Sequence, residues 1–427
     1  MSIEAGREVA LGSVVPLARV ETPGRGPGAE PSELTGQAGL AELAELAELA
    51  GMAREAGLGA VSILGWRDLD DPEAGGSELH AATIARLWAE AGIAVTLRTS
   101  AASGHPRAVH RDGYDVVRKA GRYAVFARSP LSHLARHRTR PDGLVEIWNG
   151  MPFFSPVWAR CPRVVFLHHV HAEMWRMVIR PSALARVGEA IEFRLAPPFY
   201  RRSRIVTLSE SSRREIVELL GLPEDNVTVV PPGVDPLFCP GGGRSPHPLV
   251  AAVGRLVPVK RFDLLIDALA RLRARHPGLE AVIVGEGYER DALEARRRAA
   301  GADGWLHLPG YVEPDALVAL YRRAWVLASS SAREGWGMTI TEAGACGTPA
   351  VATRIAGHLD AVAEGDSGLL APDLDGLVAG LDRVLSDAVL RARLGRGAQQ
   401  RAARHTWEAT ARGTLRVLAE EAGRRRR

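Results

Sequence analysis

The chain has 427 residues, 46% of them apolar and 24% charged, with a formal net charge of +4. That length exceeds one ordinary hydrophobic core, so two domains are expected, and the composition is that of a soluble globular protein. Nearly all the cationic residues are arginine, which suits the holding of phosphate groups, while neither zinc-finger spacing nor an RNP-type aromatic pattern is present to suggest nucleic acid.

The opening stretch "MSIEAGREVALGSVVPLARV" has an early Glu, weak positive charge and only a short apolar run, so no signal peptide is expected. No apolar run along the chain is long enough to span a bilayer. Cys161, Cys239 and Cys346 are scattered and make neither a disulfide framework nor a metal cluster. A cytoplasmic protein is expected, with a peripheral contact at the inner face of a membrane left open. Residues 1 to about 37 are rich in Gly, Pro, Glu and Ser and are expected to be disordered. "LAELAELAELAGMAREAG" then predicts a short helix whose leucines, recurring every third position, drift around its surface. Residues 1–57 therefore read as an extension.

From about residue 58 strands and helices alternate. "GAVSILGW" and "IAVTLRT" read as strands around the helical pattern "SELHAATIARLWAEAG"; "VVFLHH", "RIVTLS" and "VTVV" read as further strands, with the helix "SSRREIVELLG" between the last two. Such alternation predicts a parallel sheet covered on both faces. "PPGVDPLFCPGGGRSPHP", residues 231–248, is too dense in Pro and Gly to continue either element. Beyond it the alternation restarts with "LVAAVG", "EAVIVG", "WLHLPG", "WVLASS" and "PAVATR". The fold class is therefore α/β, with two Rossmann-like doubly wound domains, 58–235 and 249–404, joined by a linker at 236–248 and facing across a cleft.

Ligands of open α/β sheets bind beyond the carboxyl ends of the strands, and polar residues collect there. The first strand is followed by Gly75-Gly76, just before a helix whose free N–H groups could meet an anion. "VVFL" is followed by His168 and His169, with His171 close behind; any of them could instead be a polar residue lining the cleft without a chemical role. Arg255 and Lys260 follow "LVAAVG" and could hold a diphosphate, although a solvated basic loop would look the same. Gly285-Glu286-Gly287 follows "AVIV" but is not the GxGxxG of a dinucleotide site. After "WVLASSS" come Glu334, the turn Gly335-Trp336-Gly337 and a helix from Met338 to Cys346 that carries Glu342. The helix start suits phosphate, Glu342 could accept hydrogen bonds from ribose hydroxyls, and Glu334 could touch a transferred group.

"GRLVPVKRFD", "VIVGEGYERDAL", "LPGYVEPDALVALYRRA" and "EGWGMTITEAGACGTPAVAT" resemble the C-terminal domain of retaining GT-B glycosyltransferases of family four, and Glu334 and Glu342, with seven residues between them, match that family's E-x7-E signature. "PEAGGSELHAATIARLWAEAGIAVTL" and "PPGVD" resemble its N-terminal domain and linker, and "HTWEATARGTLRVL", within 405–427, its closing helix that crosses back to the first domain before a basic tail. The resemblance covers about residues 58–423. It implies a hexosyltransferase that moves a sugar from a nucleotide diphosphate sugar to an acceptor hydroxyl, with acceptor-side and donor-binding domains and neither cofactor nor metal. Arg255 and Lys260 would bind the diphosphate and stabilise its departure, Glu342 the ribose, and Glu334 the donor sugar. The main chain of Gly335, Trp336, Gly337 and Met338 would touch sugar and phosphate, and Gly75 and Gly76 would meet the diphosphate from the opposite domain. Glu286 joins the donor side, base selection involves the main chain near Tyr311 and Val312, and His168 best fits the family's catalytic-region histidine. Trp336 replaces the usual Phe, and Met338-Thr339 stands where a proline is frequent.

Three other readings compete. A paired-carboxylate glycoside hydrolase explains Glu334 and Glu342 but leaves the cations idle. A non-catalytic nucleotide-sugar-binding protein could use the same fold, although the Arg, both Glu and the Lys are all intact. Asp68-Leu69-Asp70 could suggest a metal-dependent transferase, yet the triplet has no matching cluster nearby. Separately, residues 174–204 mix bulky apolar residues with seven arginines; they read as a helical lid over the cleft or as an interfacial patch reaching a lipid acceptor. The base, the sugar, the acceptor and the oligomeric state are not written in the sequence.

Overall fold

A computed structural model describes residues 33–135, 141–178 and 182–426. Most of the stretch expected to be disordered lies outside the described residues, and a helix already begins at Glu33 and runs to Ala56. It is longer than expected because Ala, Leu and Glu all favour helix. Leu43 is exposed, whereas Leu49, Ala53 and Ala56, one turn apart, are buried; the drifting leucine repeat reaches the core only near the helix end. Residues 43–427 form one compact unit.

That unit holds two sheets. The first contains β1 (Ala60–Leu64), β2 (Ala94–Ser100), β3 (Ala108–Arg111), β4 (Tyr114–Ala120), β5 (Gly143–Ile147), β6 (Arg163–Phe166), β7 (Arg204–Thr207) and β8 (Val227–Val229), in the order β3-β4-β2-β1-β5-β6-β7-β8. All its pairings are parallel except β3 with β4. That hairpin, which the sequence analysis passed over, turns on Asp112 and Gly113, both at positive φ, the pair that a two-residue primed turn requires. The second sheet is wholly parallel: β9 (Leu249–Val253), β10 (Glu280–Val284), β11 (Leu306–Gly310), β12 (Val326–Ser329), β13 (Ala350–Thr353) and β14 (Gly368–Ala371), ordered β11-β10-β9-β12-β13-β14.

The central strands are buried along almost their whole length, β5 completely, as sheets covered on both faces require. The closing helix Trp407–Arg426 returns to the first sheet, where Trp88 Nε1 donates to the Ala411 carbonyl at 3.1 Å and Arg204 pairs with Glu420. The strand order reverses around β1 in the first lobe and around β9 in the second. Loops leaving those strands diverge and open a crevice at their carboxyl ends. Both crevices contribute to one cavity.

Candidate active site

The cavity has a volume of about 300 Å³ and draws its walls from both lobes. From the first lobe come Gly75, Gly76, Ser77 and His80 at the start of the helix Gly76–Glu90, and His168 and His169 beyond β6. The loop before that helix is drawn tight by charge. Arg67 pairs with Glu73 and Glu78, and Glu78 accepts from the Gly75 amide at 2.8 Å. Asp68 and Asp70 both accept from the buried Arg118, and Asp70 also from Arg111, so the Asp-Leu-Asp triplet is bound into an ion-pair network behind the loop.

From the second lobe come Gly254, Arg255 and Lys260 beyond β9, and the run Arg333–Thr339 with Glu342 beyond β12. Arg255 crosses the cleft: its Nη1 donates to the Glu73 carbonyl at 3.2 Å, and a Cβ on Gly75 would lie 3.2 Å from its Nε. Burial and the neighbouring Arg67 push its pKa down. Lys260 Nζ donates to Glu334 Oε1, which also accepts from Ser331 Oγ at 2.8 Å. Burial alone would raise the Glu334 pKa, but Lys260, His358 and the hydrogen bonds outweigh it and hold the carboxyl below its usual range.

The helix Met338–Ala345 starts at Gly337, whose φ of +105° suits only glycine and which has no side chain to cap the helix. Its first amides are therefore free to meet an anion. Glu342, one turn in, accepts from the Tyr321 hydroxyl at 3.1 Å, and burial pushes its pKa up to about 7. The turn Gly335–Gly337 is pressed against the first lobe: a Cβ on Gly335 would come within 2.4 Å of the His168 carbonyl.

His168 is buried, with Nε2 3.4 Å from Nδ1 of His80, and burial lowers its pKa to about 4. His80 is lowered well below its ordinary value for the same reason and by the charge of His168. Both rings are neutral at neutral pH. His169 also lines the cavity; His171 does not, and stacks on His169 at 5.0 Å.

Of the residues singled out in the sequence, the cavity gathers Gly75, Gly76, His168, Arg255, Lys260, Glu334, Gly335, Trp336, Gly337, Met338 and Glu342. Glu286, Tyr311 and Val312 are not among its lining residues. Glu286 is paired with Arg290, Tyr311 is exposed, and Val312 packs against the core. Gly285 instead serves a close approach, since a Cβ there would fall 1.9 Å from the Gly254 carbonyl. Sequence reasoning missed His80 and Arg333. Arg333 donates to the Val170 carbonyl at 2.6 Å and pairs with Glu173 and Glu215 of the first lobe. His80 had one signal: it lies one turn after Gly76, on the same helix face.

Among the described residues no group of three or more His, Cys, Asp or Glu side chains is placed to hold a metal ion, and no helix is long and apolar enough to cross a membrane.

Residues 242–401 match the family model described as glycosyl transferases group 1, and residues 74–238 that of glycosyltransferase family 4. The chain is 31% identical over 383 residues to a D-inositol 3-phosphate glycosyltransferase of Stackebrandtia nassauensis, covering 79% of this chain and 85% of the relative. A protein of the same name from Acidothermus cellulolyticus is 36% identical over 244 residues; that match spans 52% of this chain and about half, 54%, of the relative's length. Among solved structures, Anabaena HepE in complex with UDP and glucose superposes with a TM-score of 0.65 at 20% identity, over 84% of this chain and 99% of that one. The shared shape is the two-lobed GT-B fold.

Proposed function

Since the chain belongs to the group 1, family 4 glycosyltransferases, we propose that it is a retaining enzyme moving a hexosyl group from a nucleotide diphosphate sugar to an acceptor hydroxyl. The observation that carries this reading is the meeting, in one cavity, of Arg255, Lys260 and an uncapped helix N-terminus with Glu334 and Glu342. Cleaving the glycosidic bond leaves negative charge on the departing diphosphate. Fixed cations and amides aimed at that charge stabilise it in a site shielded from water, where they are worth most. In this assignment the second lobe holds the donor and the first faces the acceptor. Glu342 takes the ribose, Glu334 is oriented by Lys260 towards the donor sugar, and His168 approaches the sugar as a neutral imidazole. The acceptor attacks the face that the leaving group vacates, and the diphosphate takes the acceptor proton. The protein's own cations serve the leaving group, so loss of activity with a chelator would overturn the metal-independent part of the reading.

A peripheral membrane contact belongs to the same proposal. Leu184, Val187, Leu195 and Phe199 are exposed beside the exposed Arg186, Arg194, Arg201 and Arg202, the pairing of apolar and cationic side chains that anionic lipid attracts. Salt-sensitive pelleting with anionic vesicles is the expected result, and its absence removes this part.

One observation favours a second reading. Glu334 is lowered while Glu342 is raised, the split a paired-carboxylate hydrolase would use. It leaves Arg255 and the helix start without a task. Sugar released from a simple glycoside, independent of any nucleotide, would favour it.

The deciding experiment is a thermal-shift panel of UDP, GDP, ADP and dTDP with their common sugars, on wild type and Arg255→Ala/Lys260→Ala. UDP comes first because HepE holds UDP and glucose. At about a hundred times its Kd a ligand adds about 2.7 kcal/mol to folding stability. Stabilisation by one base, lost in the double variant, is expected; no response to any nucleotide would overturn the donor-site reading.

A further inference from the structure

Directly behind the donor turn the two lobes are joined by hydrogen bonds whose side chains lie outside the cavity. The helix Glu210–Leu220 of the first lobe begins at Ser209, whose Oγ accepts from the Ser212 amide at 3.1 Å. That cap leaves the amides of Glu210 and Ser211 to be satisfied. Both donate to the carboxylate of Asp360 in the second lobe, at 3.2 and 3.1 Å. An acid 149 residues away thus caps this helix in trans, where the helix dipole favours a negative charge.

The serine hydroxyls complete the connection. Ser211 Oγ donates to Asp360 Oδ2 and accepts from the Gly357 amide at 2.7 Å. Ser209 Oγ donates to Ser212 Oγ at 2.8 Å, and Ser212 Oγ donates to the carbonyl of Gly335 at 3.3 Å. Every hydroxyl proton therefore has one acceptor, and the chain ends on the first glycine of the donor turn. Gly357 is itself wedged against that turn: a Cβ there would lie 2.7 Å from the Glu334 carbonyl and 2.8 Å from the Trp336 amide. Behind Asp360, Arg401 donates to the carbonyls of Asp360 and Ala361 and fixes the short helix His358–Ala361. All three serines are buried.

We propose that Asp360, Ser211 and Ser212 are positioning residues: they latch the first lobe onto the turn Gly335–Gly337 and so place Glu334 and the helix start at Met338 against His168. This rests on the transferase reading above. None of the three lines the cavity, so they act through the turn and not on the substrate. When the latch opens, the nucleotide keeps its contacts within the second lobe while the catalytic arrangement across the cleft loosens.

The test compares Asp360→Ala, Asp360→Glu and Ser211→Ala with wild type. It uses steady-state transfer with the donor found in the nucleotide panel, Kd for the matching nucleoside diphosphate, and amide hydrogen exchange on the full chain. Asp360→Ala and Ser211→Ala are expected to lower kcat at least tenfold while Kd stays within about threefold, with Asp360→Glu recovering part of kcat. Exchange should quicken together at residues 209–213 and at 334–338. A kcat within twofold of wild type, or a fall in kcat matched by an equal loss of nucleotide affinity, overturns the latch. If the wild type transfers no sugar, the transferase reading fails, and the exchange experiment still decides the latch: faster exchange confined to one lobe overturns it.

Discussion

Lys260 and Glu334 form an ion pair in the cavity, with 20% and 18% of their side chains exposed. Each side chain restrains the other, and Lys260 is the main charge holding Glu334 ionised against burial. Lys260→Ala therefore removes a cation that the transferase proposal assigns to the leaving group and also leaves a buried carboxylate without its counter-charge. Removal of one such electrostatic contact lowers kcat on the order of 10²–10³-fold. Because the residues act as a unit, Lys260→Ala/Glu334→Gln should be little worse than the poorer single variant. Steady-state kcat for the four proteins checks this; additive losses would mean that the pair is not coupled.

Gly335→Ala tests the meeting of the lobes from the other side. The added Cβ would sit 2.4 Å from the His168 carbonyl, a contact that must be relieved by moving the turn away from β6. Overpacking of this kind costs about 1–3 kcal/mol. The expected outcome is at least a tenfold lower kcat with a modest fall in Tm. Unchanged kcat would show that the close approach is incidental to turnover.

His80 and His168 are predicted to make the protein acid-sensitive. His168 has its pKa lowered by burial to about 4, against an ordinary value near 6.5 when unfolded. Below pH 6.5 the unfolded chain binds protons that the folded one refuses, so stability is lost as pH falls from about 6.5 towards 4 and is fully present above that window. For one such histidine the loss between pH 6.5 and 5 is roughly 2 kcal/mol. Denaturant unfolding of wild type and His168→Asn at both pH values should show a shallower pH dependence in the variant. Equal slopes would mean that His168 takes up protons in the folded state as readily as in the unfolded one.

The doubly wound architecture was legible because parallel strands buried on both faces leave continuous apolar runs, of which β9 and β12 are examples. The hairpin β3–β4 was not: its strand β3, Ala108–Arg111, has only four residues, none of them fully buried, and ends in His110 and Arg111, so it gives no such run. Within the site, Arg255, Lys260, Glu334 and Glu342 could be read from their places after predicted strands. The reason for glycine at 335 could not, because the atom that excludes a Cβ, the His168 carbonyl, belongs to another lobe. The same holds for Ser211 with Asp360, which meet across the lobes, while His80 and His168 lie 88 residues apart in one lobe and meet only when it folds. Glu286, Tyr311 and Val312 came from resemblance, which supplies positions along the chain without the geometry around them.

Glu342 sets a pH dependence of the same origin, burial, and of opposite sign. Burial raises its pKa to about 7, only partly offset by the Tyr321 hydroxyl, so it is mainly protonated at pH 6 and ionised at pH 8. Its folded pKa lies above the unfolded value, and its contribution to the stability of the free protein is therefore present at low pH and lost as pH rises through about 7. With Glu342 at the ribose, as proposed above, ligand binding runs the other way. Ribose hydroxyls donate hydrogen bonds, and an ionised carboxylate accepts them more strongly than a neutral carboxyl. Nucleoside affinity should accordingly rise between pH 6 and 8, by up to about tenfold for one titrating group. Calorimetric titration with uridine alongside UDP separates this from titration of the phosphate, and Glu342→Gln should bind uridine with no slope across the same range. A slope that survives in Glu342→Gln would place the titrating group elsewhere and remove Glu342 from the ribose site.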